Sequence, residues 1–274
     1  MSGAPKGERA GRRRALVLAV LLGLTALTAG CSALKPHRDR PVKPLDWSGQ
    51  TARSVVDMLR EQRSKLGAIS AYFSLSLPSP PPGQPSNLQG MLTVRFREGA
   101  PLARIQVLRP FGGVALDMVV DGEDLVAYVP KTRTLYRGKA GELAGSAGQG
   151  PGTLFRFGLA GPRALKARQA ELIVHQKDVI LKLSDGRLEL DKQTGRIRRW
   201  KTEQRQVIYS GYVPVGESAW LPGHIRLLSA SGELLAECRL EDIKPLKTET
   251  GRFDLSGYPV EEMEDLRELL EGQR

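Results

Sequence analysis

The one residue whose surroundings specify a reaction is Cys31. It follows Thr28-Ala29-Gly30 at the end of an apolar run from Ala15 to Leu27, and that run follows Lys6, Arg9, Arg12, Arg13 and Arg14. A basic start, an apolar stretch and small residues are the order of a secretory leader. A cysteine at the cleavage point is the lipobox arrangement, in which the sulfur takes a diacylglycerol and the new amino terminus is acylated. Thr28 stands where lipoboxes prefer leucine, with Leu27 one place further out, and Arg12-Arg13-Arg14 also allows a twin-arginine reading. The apolar run is about 13 to 15 residues, short of the roughly 18 to 20 that cross a bilayer. Residues 1–30 are therefore expected to be removed. Cys31 then carries acyl chains that hold the chain on membrane lipid, since two or more such chains are needed for stable attachment.

Other candidates for chemistry fail on their spacing. The three histidines, His37, His175 and His224, show no metal-ligand spacing. Gly148-Gln149-Gly150-Pro151-Gly152 lacks the lysine and hydroxyl residue of a phosphate loop. Ser146 has no visible base, and Asp121, Glu123 and Asp124 surround an Asp-Gly turn. With Cys31 acylated, Cys238 has no disulfide partner and reads as a small buried hydrophobe in a strand. No catalytic residue, metal or cofactor is expected.

The formal charge of +11 falls to +7 when the leader, with five basic residues and Glu8, is removed. A basic protein suits anionic lipid head groups or nucleic acid, and secretion argues against nucleic acid as a partner.

The elements that would position a site begin after a proline-rich, basic tether, residues 31–48 including Cys31. Residues 49–274 suit one domain. Val55, Met58, Leu59, Gln62 and Leu66 have helical spacing, ended by Gly67. From Ile69 the period becomes two, with Ile69, Ala71, Phe73, Leu75 and Leu77 on one face. Alternating segments then run to Arg137. Beyond them lie a glycine-rich loop from Gly138 to Gly152 and a short apolar segment, Thr153 to Leu159. A second meander follows from Glu171, with His175 in its first strand, to Ile243, giving about twelve or thirteen strands in all. Val260, Met263, Leu266, Leu269 and Leu270 fit one face of a C-terminal amphipathic helix, with Glu261, Glu262, Glu264 and Asp265 as its capping charges. The fold class is mainly β (α+β), a strongly curved antiparallel sheet or unclosed β-barrel with a helical lid.

A helix, a strand after Ala68-Ile69, Gln89-Gly90-Met91-Leu92-Thr93-Val94-Arg95, Leu108-Arg109-Pro110-Phe111-Gly112, Met118-Val119-Val120-Asp121-Gly122, Tyr128-Val129-Pro130, Leu221-Pro222-Gly223-His224-Ile225 and Phe253-Asp254-Leu255 together resemble the LolA/LolB superfamily of lipoprotein carriers. The likeness is nearest to LolB-like outer-membrane lipoproteins, which are themselves lipid-anchored. The resemblance implies an apolar cavity that accepts acyl chains of lipoproteins or lipids without a covalent step, and a periplasmic LolA-like carrier as a partner. Ser32, where an aspartate would imply inner-membrane retention, implies the periplasmic face of the outer membrane. It also gives Phe111 the role of the exposed apolar residue of a membrane or cargo loop, although Arg109 departs from the family's loop. The expected lining is Phe73, Leu75, Leu92, Val94, Ile105, Val107, Leu116, Met118 and Val120, with Leu154, Phe155 and Phe157 as a movable lid. The alternative is a non-enzymatic envelope scaffold whose barrel is filled by its own side chains; a hydrolase is disfavoured because no nucleophile with a base is visible.

Overall fold

The structure, a computed structural model, describes residues 44–80, 85–97, 101–139, 170–216, 219–246 and 253–265. Helix α1 (Ala52–Ser64) begins at a capping box: the Ser54 N–H donates to the Thr51 side chain, and the Thr51 N–H donates to the Ser54 hydroxyl. Val55, Val56 and Leu59 form its buried stripe. Gly67 sits just beyond at φ +56, a conformation that penalises any residue with a Cβ, and turns the chain into the sheet.

The strands are β1 (Ala68–Ser76), β2 (Asn87–Arg95), β3 (Leu102–Leu108), β4 (Val114–Asp121), β5 (Asp124–Val129), β6 (Thr134–Lys139), β7 (Glu171–Val174), β8 (Asp178–Leu183), β9 (Gly186–Asp191), β10 (Ile197–Lys201), β11 (Arg205–Val215), β12 (Ala219–Ser229), β13 (Leu234–Pro245) and β14 (Glu262–Asp265). They form one sheet ordered β14-β6-β5-β4-β3-β2-β1-β13-β12-β11-β10-β9-β8-β7. Neighbours are antiparallel throughout except β14, which runs parallel to β6. The long-range pairing of β1 with β13 joins the two meanders. Bulges between Ser70 and Tyr72, Val107 and Leu108, Ile197 and Arg199, and Leu227 and Leu228 add twist. The sheet curls without closing.

Alternation sorts the side chains. One face carries Ile69, Phe73, Leu92, Ile105, Met118, Leu181, Leu188, Trp200, Val207, Ile225 and Leu227, clustered with Val55, Val56 and Leu59 of α1; this is the inner face. A small second cluster, Tyr128, Leu135 and Leu255, lies on the outer face under the C-terminal segment.

Two segments differ from expectation. Where periodicity predicts a C-terminal helix from Val260, residues 262–265 form β14, because Glu262 to Asp265 pair with Thr134 to Arg137 at the sheet edge. Glu261, read as a helix-capping charge, instead pairs with Arg133 at 2.5 Å. Leu266, Leu269 and Leu270 lie outside the described residues. The tether expected through Ser48 ends earlier: Trp47 is buried and its Nε1–H donates to the Lys192 carbonyl at 2.6 Å, while the Leu45 N–H donates to the Gln193 carbonyl. Burying an indole outweighs the polar composition around it. Gly138 and Lys139, expected in a loop, end β6, and His175 lies just past β7.

Antiparallel alternation sorts the turns as well. The β1–β2, β3–β4, β5–β6, β8–β9, β10–β11 and β12–β13 connections share one pole of the sheet. The β9–β10 turn, to which Leu45 and Trp47 are tied, belongs to the opposite pole.

Candidate functional site

The expected lining residues are cross-strand neighbours on the inner face. Leu92 stands opposite Ala71 and Ile105, Ile105 opposite Met118, Val107 opposite Leu116, and Val120 opposite Ala103. Phe73, Leu75, Leu92, Val94, Ile105 and Met118 are buried; Val107, Leu116 and Val120 are partly buried against them. Gly90 makes room for Phe73: a methyl at Gly90 would stand 2.6 Å from the Phe73 ring and 2.0 Å from the Gln106 carbonyl oxygen. The lid residues Leu154, Phe155 and Phe157 lie outside the described residues, as does Cys31.

The same face opens at the far end of the second meander into a cavity of about 640 Å³, within the range of small-ligand sites. Leu183, Trp200, Val207 and Leu227 supply apolar wall, while Ser184, Asp185, Thr202, Glu203, Gln204 and Arg205 bring polar groups from the β8–β9 and β10–β11 turns. Apolar wall beside polar turns suits an amphiphile. Sequence reasoning placed the lining in the first meander only and missed this cavity. Its signal was present in the alternation of Leu181, Leu188, Trp200, Val207 and Leu227, whose opposed registers put them on one face.

The β3–β4 hairpin stands at the same pole. The Arg109 N–H donates to the Gly113 carbonyl and the Gly112 N–H to the Arg109 carbonyl, and Gly112 and Gly113 both take positive φ. This tight turn leaves Phe111 fully exposed, at 102% relative accessibility. The turn thus holds a single aromatic ring in water.

On the outer face three residues invisible as a group in sequence come together. Ser210 Oγ lies 3.3 Å from His224 Nδ1, and His224 Nε2 lies 2.9 Å from Glu237 Oε1. The same Glu237 oxygen accepts from Nε and Nη2 of Arg239, and hydrogen bonds from Arg239 and His224 hold the Glu237 carboxyl below its ordinary range against the opposing pull of burial. Serine, histidine and carboxylate are the components of a hydrolytic triad, but Ser210 lines neither the 640 Å³ cavity nor the trough beside Glu237 described next. The set extends a polar ladder that includes Ser74, Ser76, Asn87 and Gln89 around a shallow 400 Å³ trough. Among the described residues no cluster of His, Cys, Asp or Glu is placed to hold a metal ion, and no helix is long and apolar enough to cross a membrane.

No family model matches the sequence, and no curated protein sequence matches it significantly. Solved structures do match. An outer membrane lipoprotein-sorting protein domain from Vibrio parahaemolyticus superposes with a TM-score of 0.55 at 14% identity, over 74% of this chain and 96% of that one. A LolA superfamily protein from Nitrosomonas europaea gives 0.51 at 14% identity, over 75% and 98%. The fold is LolA/LolB-like. A DUF1329 family protein from Desulfovibrio piger shares it, at a TM-score of 0.56 and 10% identity over 77% of this chain and all of that one. In this LolA/LolB-like frame the half-barrel's inner face is apolar and the Phe111 turn is exposed.

Proposed function

We propose that this chain is an envelope lipoprotein, held on the periplasmic face of the outer membrane by acylated Cys31, whose inner face binds acyl chains and assists lipoprotein or lipid transfer. The observation that carries the reading is the apolar wall of Trp200, Val207, Leu183 and Leu227 around a 640 Å³ cavity at the pole that also displays Phe111. Phe111 would dip into the membrane or meet cargo there, and Leu154, Phe155 and Phe157 would move aside to admit the chain. Binding alone drives the process, at about 0.8 kcal/mol for each methylene removed from water. The naming of one structural relative as a lipoprotein-sorting domain supports this reading, and a LolA-like carrier is the natural donor of cargo.

The full chain bearing Cys31→Ser, which cannot be acylated, tests it. Mass spectrometry of its extractable lipids should find bound acyl species, and the protein should take up a diacylated peptide. A protein that is consistently empty and takes up nothing overturns the proposal.

Complete burial of Leu92 and Val94 favours the second reading, a scaffold filled by its own side chains. Photo-crosslinking from position 111 separates the two. Lipid adducts support transfer, and one dominant protein adduct supports scaffolding.

A further inference from the structure

The outer face of the sheet is furrowed along β1. Ser74 stands opposite Arg239 of β13 on one side and Gln89 of β2 on the other, and Ser76 stands likewise between Glu237 and Asn87. Two short side chains flanked on both sides by longer ones leave the trough of about 400 Å³, a volume within the range of small-ligand sites. Tyr72 is one pleat further along the same face, in line with the two serines. Its ring is half in water, at 49% exposure.

The hydrogen-bonding groups along this furrow are largely unspent. Among the described residues the side chains of Tyr72, Ser74, Ser76 and Gln89 make no hydrogen bond with the protein, and Asn87 donates only to the neighbouring Ser86 hydroxyl. Glu237 is arranged differently. Nε and Nη2 of Arg239 both donate to its Oε1, and His224 Nε2 lies 2.9 Å from that same oxygen. Oε2 takes none of these contacts. A carboxylate gripped through one oxygen is held still while the other stays an acceptor, and bonds to a charged acceptor are about twice as strong as neutral ones.

The charges decide what such a site would take. Glu237 and Arg239 are the two charged residues of its lining, and they cancel. A trough without net charge favours neither an anion nor a cation. Its hydroxyls and amides both donate and accept, as the hydroxyls of a sugar do, and the tyrosine adds an apolar ring beside a polar tip. A sugar ring has the matching surfaces, hydroxyls at its rim and C–H groups on its faces.

We propose that this trough binds a neutral oligosaccharide, its hydroxyls meeting Glu237 Oε2, Gln89 and the two serines, with one sugar ring laid against Tyr72. The site lies on the face opposite the acyl cavity and does not depend on acyl binding. The other account of these residues is an ordinary wet sheet face whose hydrogen bonds go to water alone.

The experiment is calorimetric titration of the full chain bearing Cys31→Ser with maltotriose, with tri-N-acetylchitotriose and with the acidic trigalacturonate. At least one of the two neutral trisaccharides should bind saturably and more tightly than trigalacturonate. Ser74→Leu, which fills the furrow from an outward-facing position, should abolish that binding. Tyr72→Ala should weaken it about tenfold, and Gln89→Ala, at an exposed position, should weaken it about threefold. The thermal unfolding midpoint of each variant should match that of the parent, which separates loss of the site from loss of the fold. Absence of saturable binding by both neutral sugars overturns the proposal. Binding that survives unchanged in the folded Tyr72→Ala and Gln89→Ala variants, or that is tightest for trigalacturonate, also overturns it.

Discussion

The hydroxyl of Tyr258 donates to Oδ2 of Asp117 at 2.6 Å, joining positions 141 residues apart. Asp117 is wholly buried on the outer face, where it also accepts from Nε and Nη2 of Arg104 and from Gln106. Tyr258 stacks on Tyr128 with ring centroids 4.3 Å apart, and the Tyr128 hydroxyl donates to the Pro259 carbonyl. These contacts strap the C-terminal segment across β3, β4 and β5 and lead it to the edge that β14 covers.

Removing one member of this network leaves a buried carboxylate short of partners. Arg104→Ala is expected to cost about 3 to 5 kcal/mol, the range for breaking a buried ion pair. Tyr258→Phe should cost about 1.5 to 3 kcal/mol, the range for a hydrogen bond to a charged group. Urea denaturation of each variant checks the order.

Gly90→Ala should destabilise the protein by about 1 to 3 kcal/mol, as overpacking does. The added methyl meets backbone at Gln106, which cannot yield as a side chain can, and drives the Phe73 ring off its seat. The midpoint of thermal unfolding measures the first effect, and acyl-peptide uptake reads the second.

Phe111→Ser should leave stability within about 0.5 kcal/mol of the parent, because the ring touches nothing in the fold. The same substitution should lower delivery of a diacylated peptide to vesicles. Delivery equal to that of the parent removes Phe111 from the transfer step.

Burial pushes the Cys238 thiol up to about 12. The native state therefore holds this proton more tightly than the unfolded chain does. The contribution is complete below the ordinary thiol value and is lost as pH rises from 9 toward 12. Melting temperatures should fall over that window, and Cys238→Ala should flatten the fall. At pH 8 a disulfide reagent should reach Cys238 only after denaturant is added.

The strands were legible because alternation survives wherever one face is wet. Leu92, Val94 and Phe96 against Thr93, Arg95 and Arg97 needed no knowledge of their partners. Residues 260–265 were misread for the opposite reason: Val260 and Met263 have helical spacing, yet the backbone of β6 offers Glu262 to Asp265 a pairing that no local period records. Trp47 was taken for linker because its neighbours are polar, and its partner Lys192 is 145 residues away. Asp117 shows the same blindness. It sits at a position whose local pattern is polar, and only the approach of Tyr258 makes it special. The nine first-meander residues expected as lining do share one face of the sheet, as alternation implies, whereas the cavity beside Trp200 depends on two turns meeting in space.

The tie of Leu45 and Trp47 to the β9–β10 turn fixes where the chain enters the body, at the pole remote from Phe111. Thirteen residue steps separate Cys31 from Pro44, a contour of at most about 45 Å. A nine-residue strand such as β1 is about 30 Å long. Under the anchoring we propose for Cys31, a contour longer than the strands puts the exposed aromatic turn within reach of the membrane surface even though the chain enters the body at the other pole.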